Sequence, residues 1–126
     1  MPKRLIILAM VCLLTPTVRA TTGMEILSSC KAVVAGLLPN GQMHISPEAQ
    51  YCWGLFEAIQ TLSGVQSTDD AKDRPLKICA STTTTRSQMV MIFLQYAKDH
   101  PEQLQLDAAL IAQAALAHAF PCRRFP

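Results

Sequence analysis

Charged residues are scarce in this chain. Asp, Glu, Lys and Arg make up 16% of its 126 residues, against 50% apolar. That balance argues against intrinsic disorder, which goes with low hydrophobicity and high net charge. Aromatics are also few, at one Trp, two Tyr and four Phe. No basic stripe interleaves with them, so nothing tracks a phosphate backbone or stacks bases, and nucleic acid is a poor partner. Five glycines build no phosphate-cradling loop, and no G-x-S-x-G elbow occurs. Zinc is disfavoured too, because the gaps between Cys30, Cys52, Cys79 and Cys122 are 22, 27 and 43 residues, far from the close ligand pairs of a finger or ribbon. No cofactor and no metal are expected. The longest apolar run, over 5–14, is about half of the roughly 20 residues a membrane helix needs.

What is present at the start reads as an export signal. Lys3 and Arg4 precede the apolar run, Pro16 breaks it, and Val18-Arg19-Ala20 places a small residue at the end of a cleavage site. The expected division is a signal peptide over 1–20, cut after Ala20, and one domain over 21–126. A buried first helix and a lipid anchor on Cys12 are the alternatives. An all-apolar run speaks against the first, and Val11, where a small residue is wanted, against the second. Lys3, Arg4 and Arg19 leave with the signal, so the formal net charge of +2 becomes −1 in the mature chain. Cys12 leaves as well. The four remaining cysteines, outside the cytosol, are expected to form two disulfides.

Periodicity predicts four main helices. The first spans 25–38, with Ile26, Cys30, Val33, Val34, Leu37 and Leu38 near helical spacing, and Pro39-Asn40-Gly41 stops it. Ser46-Pro47-Glu48 starts the second, whose stripe is Tyr51, Cys52, Leu55, Phe56, Ile59 and Leu62 and which ends near Gly64. A polar loop follows over 65–76. Thr85-Arg86-Ser87-Gln88 fits a capping box for the third helix, with Met89, Val90, Ile92, Phe93, Tyr96 and Ala97 as its apolar face. His100-Pro101-Glu102 interrupts it. Asp107 caps the last helix, over 108–119, with Leu110, Ile111, Ala114, Ala117 and Phe120 as the expected stripe. The expected fold is therefore all-α, a small bundle of four helices in antiparallel hairpins. Cys30 and Cys52 flank one hairpin loop, while Cys79 and Cys122 lie just outside the ends of the last helix pair. Of three ways to pair them, Cys30–Cys52 and Cys79–Cys122 fits that packing.

A catalytic set is harder to find. His44 lies in a polar loop, while His100 and His118 sit at helix ends, where a positive imidazole suits the dipole. A Cys–His nucleophile pair would strand the free thiol's partner. Asp69 and Asp70, beside Lys72 and Arg74, read as a solvated loop before they read as a paired-carboxylate site. Trp53 is either core filler or an interface anchor, with the core favoured. The residues describe an exported, disulfide-stapled binding protein and no enzyme.

An ordered set of short motifs adds to this. Leu27-Ser28-Ser29-Cys30, Tyr51-Cys52-Trp53-Gly54, Cys79 ahead of the capped helix, His100-Pro101-Glu102-Gln103-Leu104, and Ala115-Leu116-Ala117-His118-Ala119-Phe120-Pro121-Cys122 follow one another in that order. In this the chain resembles the Rap/Tai-type immunity proteins, over nearly everything after the signal. It departs from the family pattern at Leu55 after Gly54, at Glu57-Ala58, and at Ala80-Ser81 after the third cysteine. The resemblance implies a periplasmic protein that protects bacteria from type VI secretion effectors, notably cell-wall amidases with a cysteine nucleophile. It implies inhibition by covering the effector's groove, no membrane association once the signal is gone, and homodimers. The shared motifs do not mark the contact surface. The charged loop over 64–74, with Asp69, Asp70 and Arg74, is the candidate. The rival reading is a periplasmic acid-stress chaperone, which would lose its dimer at low pH and bind clients broadly.

Overall fold

The computed structural model describes residues 19–64 and 76–122. Four α-helices carry it: α1 (Gly23–Ala35), α2 (Gln50–Gly64), α3 (Arg86–Asp99) and α4 (Ala108–Ala119). Helices α1 and α3 each pack on all the others. The shared core takes Ile26 and Val33 from α1, Phe56 from α2, Val90 and Phe93 from α3, and Ile111 and Leu116 from α4, all essentially inaccessible to solvent. The Phe56 and Phe93 rings meet at 5.7 Å in a tilted arrangement, a favoured aromatic geometry.

Each helix start is chemically specified. Thr22 caps α1 and closes a capping box with Glu25: the Thr22 backbone N–H donates to Glu25 Oε2 at 2.7 Å, and the Glu25 N–H donates to Thr22 Oγ1 at 3.4 Å. The Thr22-x-x-Glu25 signature places the helix start at Gly23, two residues before the expected one. Ser46 caps a 3-10 turn, Pro47–Ala49, that leads into α2. The capping box expected at Thr85 and Gln88 opens α3. Helix α3 ends at His100 because Pro101 cannot continue it. A 3-10 turn, Pro101–Gln105, follows, and Asp107 caps α4 through the Ala109 N–H at 2.9 Å.

Three expectations need correction. In α2 the buried face is Cys52, Phe56 and Ile59, while Tyr51 and Leu62, at the two ends of the expected stripe, are exposed. Helix α1 stops at Ala35, and residues 37–43 form a tight hairpin in which Leu37 bridges Met43 and Leu38 N–H donates to Gln42 O at 2.9 Å. The cause is Gly36: the chain turns there so closely over the His44 carbonyl that a Cβ would strike its oxygen. Leu37 and Leu38 consequently face solvent, and Val34 lies on the outward side of α1. In α4 the buried face is Ala108, Ile111, Ala112, Ala115 and Leu116, while Leu110 is 59% exposed. The helix is so uniformly apolar that periodicity did not mark its inward side.

Both expected disulfides are present. Cys30–Cys52 joins α1 to the first turn of α2, and Cys79–Cys122 ties the segment before α3 to the one after α4. Main-chain contacts reinforce both ends. Ala108 N–H donates to Thr21 O at 2.8 Å, Gly23 N–H to Leu106 O at 2.9 Å, and Cys79 N–H to Phe120 O at 2.9 Å. Among the described residues no helix is long and apolar enough to cross a membrane.

Candidate interaction site

The structure distributes the sequence-derived candidates unevenly. Asp69, Asp70 and Arg74 lie outside the described residues, as does most of the expected signal segment. All four cysteines of the expected domain are consumed in disulfides, which removes them as nucleophiles or metal ligands. His44 is exposed, and its backbone contributes more to the fold than its ring, because its N–H donates to Gly36 O at 2.9 Å. His100 and His118 come together on one aromatic ring. Their centroids lie 4.3 Å and 6.0 Å from Tyr96. Tyr96 Oη in turn donates to Gln103 Oε1 at 3.1 Å, and His100 Nδ1 lies 3.4 Å from Glu102. This cluster joins the end of α3 to the 3-10 turn and to the last turn of α4. Among the described residues no three His, Cys, Asp or Glu side chains could share a metal ion.

Trp53 is half-buried, and its ring lies under the Arg86 guanidinium, 4.6 Å from Cζ. Arg86 Nη2 approaches Glu57 Oε1 at 3.5 Å. Nearby, Gln60 Nε2 donates to Thr84 O at 3.2 Å, tying α2 to the loop before α3. These contacts fix the position of Thr83 and Thr84, which begin a groove of about 480 Å³ along the outer face of α3. Gln88, Met91, Ile92 and Gln95 of α3 line it together with Phe120. Thr83 and Thr84 follow Cys79 in the chain, and Phe120 precedes Cys122, so two of the lining segments adjoin the second disulfide. Among the described residues no acidic or basic side chain lines the groove. This surface was not foreseen from sequence, although Gln88 and Gln95 stand seven residues apart, on one helical face with Met91 and Ile92 between them.

The charged groups with perturbed protonation lie elsewhere, at helix starts. Glu25 is held below the usual carboxylate range by the Thr22 backbone N–H first and the Thr22 hydroxyl second. Glu48 is lowered by its own backbone N–H and then by the Ser46 hydroxyl. Both are signatures of capping, which favours the ionised acid. Among the described residues nothing arranges an acid and a base around a reacting atom. The geometry offers a rigid frame, a neutral groove and exposed apolar side chains.

A model of the Rap1a immunity proteins matches residues 22–122. The chain belongs to this family. Comparison with curated proteins and with solved structures finds no match. The matched span begins at the α1 cap and closes on the second disulfide, so it takes in every helix of the described residues. The first of the shared motifs has a structural role. Its Ser29 is buried between α1 and α2, donating through Oγ to Glu48 O at 2.6 Å and accepting from the Cys52 N–H at 3.0 Å. A Rap1a-type chain with paired cysteines points to an exported protein that confers immunity to a type VI effector, and so to one that binds a partner.

Proposed function

We propose that the chain is a periplasmic immunity protein that binds a type VI peptidoglycan amidase effector, blocks its cleft and performs no reaction itself. The observation that carries this is the coincidence of the Rap1a match with the whole disulfide-stapled body. Two cross-links in a small helical domain suit an oxidising compartment. Export by a signal peptide over 1–20, cut after Ala20, would deliver the chain there, and the described fold takes hold at once, with Thr21 O accepting from the Ala108 N–H.

Occlusion demands tight binding, since residual amidase activity would lyse the cell. A nanomolar constant corresponds to about −12 kcal/mol, which an interface of roughly 1,600 Å² can supply when it contains well-packed anchors. The charged loop carrying Asp69, Asp70 and Arg74 is one contact candidate, and a homodimer would present two such surfaces.

Co-expression tests the reading. An amidase encoded beside this gene and directed to the periplasm should lyse cells, and this chain should rescue them and co-purify with it in a stable complex. Lysis despite well-folded protein, with no complex formed, would overturn the proposal. Broad binding of unfolded clients at low pH would support the chaperone reading instead.

A further inference from the structure

We propose that Asn40-Gly41 is a self-modification site, held in check by the hairpin it belongs to. When the turn opens, the Gly41 backbone nitrogen attacks Asn40 Cγ and the N–C bond closes a succinimide ring. The Gly41 proton passes through water to the departing amide nitrogen, which leaves as ammonia. Water then opens the ring at either carbonyl, giving aspartate or isoaspartate at position 40. Water is the only reagent consumed, and nothing is oxidised or reduced. The inference stands whether or not the chain binds an amidase.

Three observations carry it. Asn40 is the only asparagine in the chain, and glycine follows it. Gly41 has a φ of +80°, so the turn itself demands a residue without a side chain. That same lack leaves its nitrogen unhindered. A Cβ there would meet nothing within 4 Å, and both residues are exposed, so water and base reach the pair.

The second observation is that the hairpin engages every reacting group. Gly41 N–H donates to Leu38 O at 3.0 Å. Asn40 Oδ1 accepts from the Gln42 N–H at 3.0 Å, and Asn40 Nδ2 donates to Gln42 Oε1 at 3.0 Å. Ring closure needs the Gly41 nitrogen without its proton and the carboxamide free to turn its face toward it. The folded turn withholds both, so the reaction runs through a local opening. The third observation is that the product does not fit the hairpin. Either product loses the Nδ2 donor and places a carboxylate in the stretch 32–47, which otherwise holds no Asp, Glu, Lys or Arg. Isoaspartate also lengthens the main chain by a methylene, in a hairpin whose register depends on turn type and loop length. The segment after the turn carries Met43 and Ile45, which pack against the core, and the His44 N–H, which donates to Gly36 O. The modification therefore disturbs the connection from α1 to α2.

The test ages the oxidised mature chain at neutral pH, beside the same chain reduced and unfolded in guanidinium chloride. Peptide mapping with an isoaspartate-specific readout follows residue 40. Both samples should convert, the folded one at least about tenfold more slowly, and hydrogen exchange at the Gly41 amide should show protection of matching size. Gln42→Ala removes the side-chain partner of Asn40 Nδ2 and should speed conversion in the folded chain, whereas Asn40→Gln should abolish it. The converted chain, separated by its added charge, should show shifted amide resonances at Leu38, Met43 and His44. Equal rates in the folded and unfolded chains overturn the proposal. So does a folded chain still unmodified after an incubation lengthened by the measured protection factor. A Gln42→Ala rate equal to the parent's, or unshifted resonances in the converted chain, overturns it as well.

Discussion

Ser29 shows how much one small side chain can hold. At 8% exposure its hydroxyl satisfies the Glu48 carbonyl and the Cys52 N–H together, right beside the Cys30–Cys52 bond. Ser29→Ala should cost about 1–3 kcal/mol in urea unfolding, the usual penalty for leaving buried polar groups unpaired. Its motif was legible in the sequence, but this role was not, because the partners lie 19 and 23 residues away. Glu25 acts by charge. Its folded-state protonation is shifted down by Thr22, so its contribution is fully present above the ordinary glutamate value of about 4.3 and is lost as pH falls through the lowered one. Glu25→Gln should therefore flatten the acid limb of stability against pH below that value. An unchanged acid limb would show that the cap carries no ionic contribution.

At the level of elements, the helix starts were readable and the helix faces were less so. Thr85, Ser46 and Asp107 cap where their residue types say they should, since capping is settled within a few neighbouring residues. The end of α1 was misjudged because Gly36 is demanded by the close approach of the His44 carbonyl, a contact made eight residues along the chain. Gly54 offers the contrast: a Cβ there meets nothing within 4 Å. Gly36→Ala should destabilise by about 1–3 kcal/mol through overpacking against rigid backbone. Gly54→Ala, in mid-helix, should stabilise by about 0.5–1 kcal/mol. Thermal or denaturant melts of the two variants should move in opposite directions.

For the whole molecule, the cross-links set the limits. The covalent loops span 22 and 43 residues, and chain entropy assigns each bond about 3–4 kcal/mol. That is comparable with the entire net stability of a small domain, about 5–15 kcal/mol. Reduction should lower the melting temperature sharply. Replacing Cys79 and Cys122 together with Ala should keep helical circular dichroism at low temperature while reducing the denaturant midpoint. A midpoint equal to that of the oxidised parent would show that the second disulfide adds nothing to the frame.

Export, helical class, the capping residues and the cysteine pairing could all be argued before any coordinates, because each depends on residue type and spacing along the chain. The pairing was accessible because two hairpins bring only certain cysteines together. The cluster of His100 and His118 on Tyr96, the stacking of Arg86 on Trp53, the inward face of α4 and the groove over Met91 were decided by packing alone. They depend on how helices cross, and a nearly all-apolar helix such as α4 carries no local mark of which side its neighbours will cover.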